Sequence, residues 1–149
     1  MEQQHTAMAR GTNVSISRKF SVEIAHFIRG KDLATAKKLM HGVIAMKVAV
    51  PFRRYDWDLA HKPGGVGPGR YPVKAVKVIL GLLESAEMNA VNKGLDQEKL
   101  YIHSVMANKG TTVAHGGRHG GRHAKRTHIN IVLAERELKK ETKKGKGKK

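Results

Sequence analysis

Cysteine is absent from the 149 residues. Disulfides, thiolate catalysis and Cys-based zinc or iron–sulfur sites are therefore excluded. Aromatic residues are scarce at 5% against a hydrophobic content of 40%, which calls for a compact, aliphatic core. Acid is scarce too: 12 Asp and Glu face 29 Lys and Arg, giving a formal charge of +17. Such a field repels itself in the folded state and is tolerable mainly when a polyanion neutralises it. Nowhere do eighteen consecutive apolar residues occur, and the first thirty hold no uninterrupted apolar run, so neither a membrane span nor a secretory signal is expected. The default expectation is a cytosolic protein with no membrane partner. The length suits one domain with extensions.

What is present centres on Leu100 to Glu135, an apolar strand, a polar middle and a second apolar strand. In the first flank Leu100, Ile102, Ser104 and Met106 share one face by strict alternation. In the second, Ile129, Ile131 and Leu133 alternate with His128, Asn130 and Val132. Between them, Lys109 to His128 holds five Gly, four His, five Lys or Arg and no acid. Only Val113, Ala114 and Ala124 are apolar there, against an ordering cost of roughly 1–2 kcal/mol per residue, so the segment is expected to take its order from a partner. Gly116, Gly117, Gly120 and Gly121 allow close backbone approach, and Arg118, Arg122, Lys125 and Arg126 offer donors to phosphate oxygens. RNA or DNA fits this composition; a flexible solvated loop is the plainer alternative.

Elsewhere the pattern is helical. A short edge strand is predicted around Thr6 to Arg10. Ser17 can cap a helix carrying Phe20, Ile24, Phe27 and Ile28 and closing at Gly30. Asp32 can cap a second, through Ala36, Leu39, Met40, Val43 and Ile44, that ends before Pro51. Residues 51–71 read as an unstructured loop with exposed aromatics, long enough to suggest an insertion or a binding role. Pro72 opens a third and longest helix through Val76, Ile79, Leu80, Leu83, Ala86 and Ala90, with Gly94 as its stop. Residues 136–149 form a basic, low-complexity tail with no expected fold. The resulting division places residues 1–99 in a globular helical part and 100–135 in the strands and hairpin that complete it.

Three stretches together carry a resemblance: ISRKFSVEIAHFIRGK from Ile16, RYPVKAVKVILGLLESAEMNAVNKGLDQEKLYI from Arg70, and KRTHINIVLAE from Lys125. In this order they resemble the universal large-subunit ribosomal protein uL22 family, in its archaeal and eukaryotic form, over nearly all of positions 7–136. The resemblance implies an α+β fold, three helices packed on a small antiparallel sheet, with a long protruding β-hairpin. It implies no enzymatic activity and no cofactor. Its implied partners are large-subunit rRNA, neighbouring large-subunit ribosomal proteins and, near the hairpin tip, the nascent peptide in the exit tunnel. Residues 51–69 resemble the insertion of archaeal and eukaryotic members. Residue by residue, the matched positions are Ser17, Arg18 and Lys19 at the first helix start, Arg29 and Lys31 at its end, and Lys125, Arg126, Thr127 and His128 on the returning strand. The expected RNA-binding set also takes in Arg53, Arg54 and Arg70, and on the ribbon Lys109, His115, Arg118, His119, Arg122 and His123.

Rival readings attach to several motifs. HGGRHGGRH offers imidazoles for zinc or nickel, but residues four apart in an extended ribbon stand about 13 Å from one another, so RNA packing is the preferred role. GGVGPGR lacks the Lys-Ser/Thr pair of a phosphate loop. Asp56, Asp58 and His61 could form an acid, base or metal group, but the charged residues here are expected to partner Arg53 and Arg54 instead. Trp57 is expected either to stack on an unpaired base or to cover the end of the third helix. Met40, Met46, Met88 and Met106 are expected to fill core gaps. A DNA-bending arm is the main alternative function, although the ribbon has neither a Pro nor a large apolar wedge.

Overall fold

A strand that must bury every second residue needs helices on one side only, and the second apolar flank meets that demand. The computed structural model describes residues 5–136. In it the chain runs β1 (Thr6–Val14), α1 (Arg18–Ile28), α2 (Leu33–Ile44), β2 (Val50–Pro51), β3 (His61–Lys62), β4 (Gly67–Arg70), α3 (Val73–Asn92), β5 (Leu100–Lys109), β6 (Val113–Ala114), β7 (His123–Ala124) and β8 (Thr127–Glu135). Thr127, Ile129, Ile131 and Leu133 of β8 are fully buried. The main sheet has the order β1-β8-β5, antiparallel throughout, so β8 lies in the middle. Among the described residues the fold is α+β, with three α-helices.

The predicted helices form with their apolar stripes inward: Ile24, Ala25 and Ile28 of α1, Leu33, Ala36, Met40 and Val43 of α2, and Val76, Ile79, Leu83, Ala86 and Ala90 of α3 are all buried. The 20-residue α3 packs on β1 and β8, as its apolar length demands. Small residues of β1 make the close approach possible. A Cβ at Gly11 would stand 2.9 Å from Leu82 Cδ1, nearer than real side chains come.

Three expectations need correction. First, the register of β5 shifts between Ile102 and Ser104, a bulge at His103. Two residues then oppose one, and the strand changes face. Leu100, Ile102 and Val105 point inward, while Met106 is 49% exposed rather than sharing a face with Leu100. Second, residues 51–71 are not structureless: β2, β4 and β3 form a small antiparallel sheet. Gly64, Gly65 and Gly67 adopt φ of 81°, 71° and 72°, a left-handed return that a side chain would resist. Phe52, expected at the surface, is 1% exposed and meets Phe20 edge-to-face at 5.3 Å, pinning the insertion to α1. Third, of the four methionines assigned to the core only Met40 is buried; Met46, Met88 and Met106 are exposed. The edge strand is also longer than predicted, reaching Val14.

Beyond Lys109 the β5–β8 ladder narrows. Gly110 N–H donates to the Arg126 carbonyl, and Val113 and Ala114 pair with Ala124 and His123. A single turn of 3-10 helix, Gly117–His119, closes the hairpin. The basic tail expected over 136–149 lies outside the described residues, apart from Arg136.

Candidate nucleic-acid interface

The start of α1 is where the cations gather. Tyr55 sits at the centre: the guanidinium carbons of Arg18 and Arg54 lie 5.8 and 5.4 Å from its ring centroid, and Lys19 Nζ lies at 5.9 Å. A ring quadrupole attracts cations at such distances, so three like charges share one anchor instead of dispersing. Arg18, Lys19, Arg53, Arg54 and Arg70 are all exposed. Arg70 extends the patch, its guanidinium 5.7 Å from the Phe20 ring.

Glu23 holds the insertion in place. It is 1% exposed, and its carboxylate accepts the backbone N–H groups of Arg53, Arg54 and Tyr55 at 3.1, 3.0 and 2.8 Å. Three donors satisfy the buried charge and fix the direction in which the two arginines leave the backbone. The expected pairing of Asp56 with Arg53 or Arg54 is not what forms; Asp56 pairs with Lys19 at 2.9 Å. With Glu23 taking their backbone N–H groups, Arg53 and Arg54 keep exposed side chains. Trp57 is 74% exposed and so does not cover a helix end.

The root of the hairpin is tied by Asn13, a non-glycine residue at φ 50°. Its N–H donates to His128 Nδ1 at 3.2 Å, its Oδ1 accepts from Thr111 N–H at 3.1 Å, and its carbonyl accepts from Arg126 at 3.5 Å. His128 and Arg126 are thus engaged in holding the hairpin to β1. Thr127 is fully buried, and its hydroxyl donates to the Ile16 carbonyl at 2.9 Å. It positions the strand and offers no surface to a partner. Lys109, His115, Arg118, Arg122, His123 and Lys125 are exposed along the hairpin; His119 lies in the closing turn.

Ser17 precedes α1, and its carbonyl accepts from Ser21 N–H and Oγ at 3.0 and 2.9 Å; its own hydroxyl does not cap the helix. Arg29 and Lys31 are held apart from the other cations, past the far end of the 11-residue α1, roughly 16 Å along its axis. Arg29 donates to the Val105 carbonyl at 2.9 Å, and the Lys31 ammonium lies 6.0 Å from the Phe27 ring. The structure therefore brings Ser17, Arg18, Lys19, Arg53, Arg54 and Arg70 into one patch and leaves Arg29 and Lys31 in a second. A groove of about 750 Å³ joins the first patch to the hairpin, bordered by Ser17, Phe20 and Tyr71 on one side and His115, His123 and Lys125 on the other.

Two cationic patches and a basic hairpin thus stand on a small α+β domain. The model of the family described as ribosomal protein L22p/L17e matches residues 9–134. The chain belongs to this family. Among relatives, the large ribosomal subunit protein uL22 of Methanocaldococcus jannaschii is 42% identical over 139 residues, 89% of each chain. That of Ignicoccus hospitalis is 40% identical over 142 residues, again 89% of each. That of Thermoplasma volcanium is 46% identical over 110 residues, 74% of each. As an L22p/L17e member the chain is a structural constituent of the large ribosomal subunit and not an enzyme. The family match runs through α1, the insertion, α3 and the whole hairpin, so both cationic patches lie inside it.

Sequence reasoning missed Glu23 and Tyr55. The first had a legible signal, since an acid three residues after Phe20 and four before Phe27 falls on the buried stripe of α1. The second had none, because the convergence on Tyr55 depends on how the insertion folds.

Proposed function

We propose that this L22p/L17e member binds large-subunit rRNA through the patch around Tyr55 and through the hairpin, its globular part near the peptide exit. The hairpin threads between RNA helices, assists subunit assembly and contributes to the wall of the exit tunnel, with the nascent peptide passing its tip. Neighbouring large-subunit proteins are its other partners. The observation that carries this reading is the convergence of Arg18, Lys19 and Arg54 within 6 Å of one ring, beside a hairpin without acids. Exposed guanidinium and ammonium groups at fixed spacing suit phosphate oxygens, and A-form RNA presents its backbone while hiding base edges in a deep groove.

Co-sedimentation of the full chain with large subunits through a high-salt wash, and competition between structured rRNA and duplex DNA, test the reading. Retention on the subunit and preference for rRNA are expected. Preference for duplex DNA would favour a DNA-bending arm instead, against which stands the lack of a Pro and of a bulky apolar wedge between Lys109 and His128.

A further inference from the structure

We propose that the groove between the hairpin and the starts of α1 and α3 holds a single unpaired nucleotide of the bound RNA, base inward and phosphate at the rim. The inference rests on the rRNA-binding reading and adds to it a specific kind of contact, enclosure of an extruded base, which backbone recognition does not require.

The groove has two chemistries in the order a nucleotide needs. Its floor is apolar: Ile16 and Ala75 are 4% and 3% exposed, with Val73 and the rings of Phe20 and Tyr71 beside them. Its rim is cationic: Lys74 comes from α3 and Lys125 from the returning side of the hairpin, both exposed. No acidic residue borders it. Its volume of about 750 Å³ falls in the ~300–1,000 Å³ range of sites that enclose small molecules. The Ser15 and Ser17 hydroxyls and the imidazoles of His115 and His123 supply donors and acceptors between floor and rim, as the edge of a base requires.

Charge complementarity selects an anion, and the apolar floor selects an anion with a flat apolar part. A paired duplex can rest phosphates on Lys74 and Lys125 but leaves the floor empty. A base lifted from its stack fills it, which is how sequence-tolerant RNA sites hold unpaired nucleotides. The starts of α1 and α3 both border the groove, and neither has an acid in its first turn or a side-chain cap, so their positive ends add to the same field. His115 and His123 come from the two sides of the hairpin, so an occupant would also tie the hairpin to the globular part.

The test uses the full chain and two RNA duplexes, identical except that one carries a single bulged 2-aminopurine. Wild type should bind the bulged duplex about tenfold more tightly, the lower part of what stacking one base contributes, with a change in 2-aminopurine fluorescence. Ala124→Trp fills the groove from the partly exposed hairpin side. It should abolish the preference and the fluorescence change while keeping wild-type affinity for the paired duplex, which also verifies its folding. Adenosine or uridine 5′-monophosphate should compete for the bulged duplex where ribose 5-phosphate does not. The inference is overturned if wild type binds both duplexes equally, if Ala124→Trp keeps the preference, or if ribose 5-phosphate competes as well as the nucleotides, the mark of a simple anion site. In all three cases salt-dependent binding to the paired duplex leaves the rRNA reading standing. Loss of binding to both duplexes in wild type would instead remove that reading.

Discussion

Glu23 on α1 and Tyr55 in the insertion are joined by a 2.8 Å hydrogen bond from the Tyr55 backbone N–H to the Glu23 carboxylate. The same carboxylate takes the N–H groups of Arg53 and Arg54, so one buried acid sets the path of three successive residues. Through Tyr55 it also sets where Arg18, Lys19 and Arg54 meet. A buried acid thus arranges the cations of the patch.

Glu23→Gln keeps the shape of the side chain but turns one acceptor into a donor facing backbone N–H groups. Hydrogen bonds to a charged acceptor contribute about 1.5–3 kcal/mol, and an unsatisfied buried donor costs about 1–3 kcal/mol, so destabilisation of about 2–4 kcal/mol is expected. A urea denaturation midpoint that stays at the wild-type value would show that the carboxylate does not hold the insertion.

Gly110 sits at the hairpin root, where a Cβ would stand 2.7 Å from Asn13 Oδ1 and 3.0 Å from the Arg126 carbonyl carbon. Gly110→Ala should push Asn13 off Thr111 and cost about 1–3 kcal/mol, as overpacking does. Amide exchange at Thr111 should accelerate more than exchange in α3. Equal protection of Thr111 in both proteins would mean that Asn13 does not tie the root.

Glu87 bonds to Lys37 and accepts from Gln97 at 2.7 Å, linking α3 to α2 and to the turn before β5. Burial pushes its carboxyl up, but the Lys37 and Gln97 hydrogen bonds and the Lys37 charge together outweigh that and hold it below the ordinary value of 4.5. A carboxyl depressed in the folded chain stabilises it above the unfolded-state pKa, and the contribution is lost as pH falls through the folded one. Wild-type stability should therefore include a Glu87 contribution that fades as the pH falls below 4.5. In Glu87→Gln the decline in urea midpoint from about pH 5 to about pH 3 should be shallower. An identical decline in the two proteins would assign the acid sensitivity to other groups.

The three helices were legible because stripes such as Ile24–Ile28 and Val76–Ile79–Leu83 repeat at helical spacing over several turns. The middle strand was legible for the same reason at a period of two. The bulge at His103 was not, since one extra residue reverses the face of everything after it without altering composition. The strands of the insertion, two to four residues each, are too short to carry any period, and its anchoring shows only in the fold, where Phe52 is buried and Glu23 accepts three of its backbone N–H groups. Of the expected RNA-binding residues, the exposed cations were legible as a class. Thr127 was not distinguishable from its neighbours, because its role depends on an Ile16 carbonyl 111 positions away.

Salt dependence of binding to large-subunit rRNA, compared between wild type and an Arg18→Ala, Lys19→Ala, Arg54→Ala variant, tests the central claim most directly. Each phosphate neutralised contributes roughly 0.7–0.9 to the slope of log affinity against log salt, so removal of three cations should flatten it by about 2 to 3. A slope unchanged from wild type would mean that the cations gathered on Tyr55 do not face RNA.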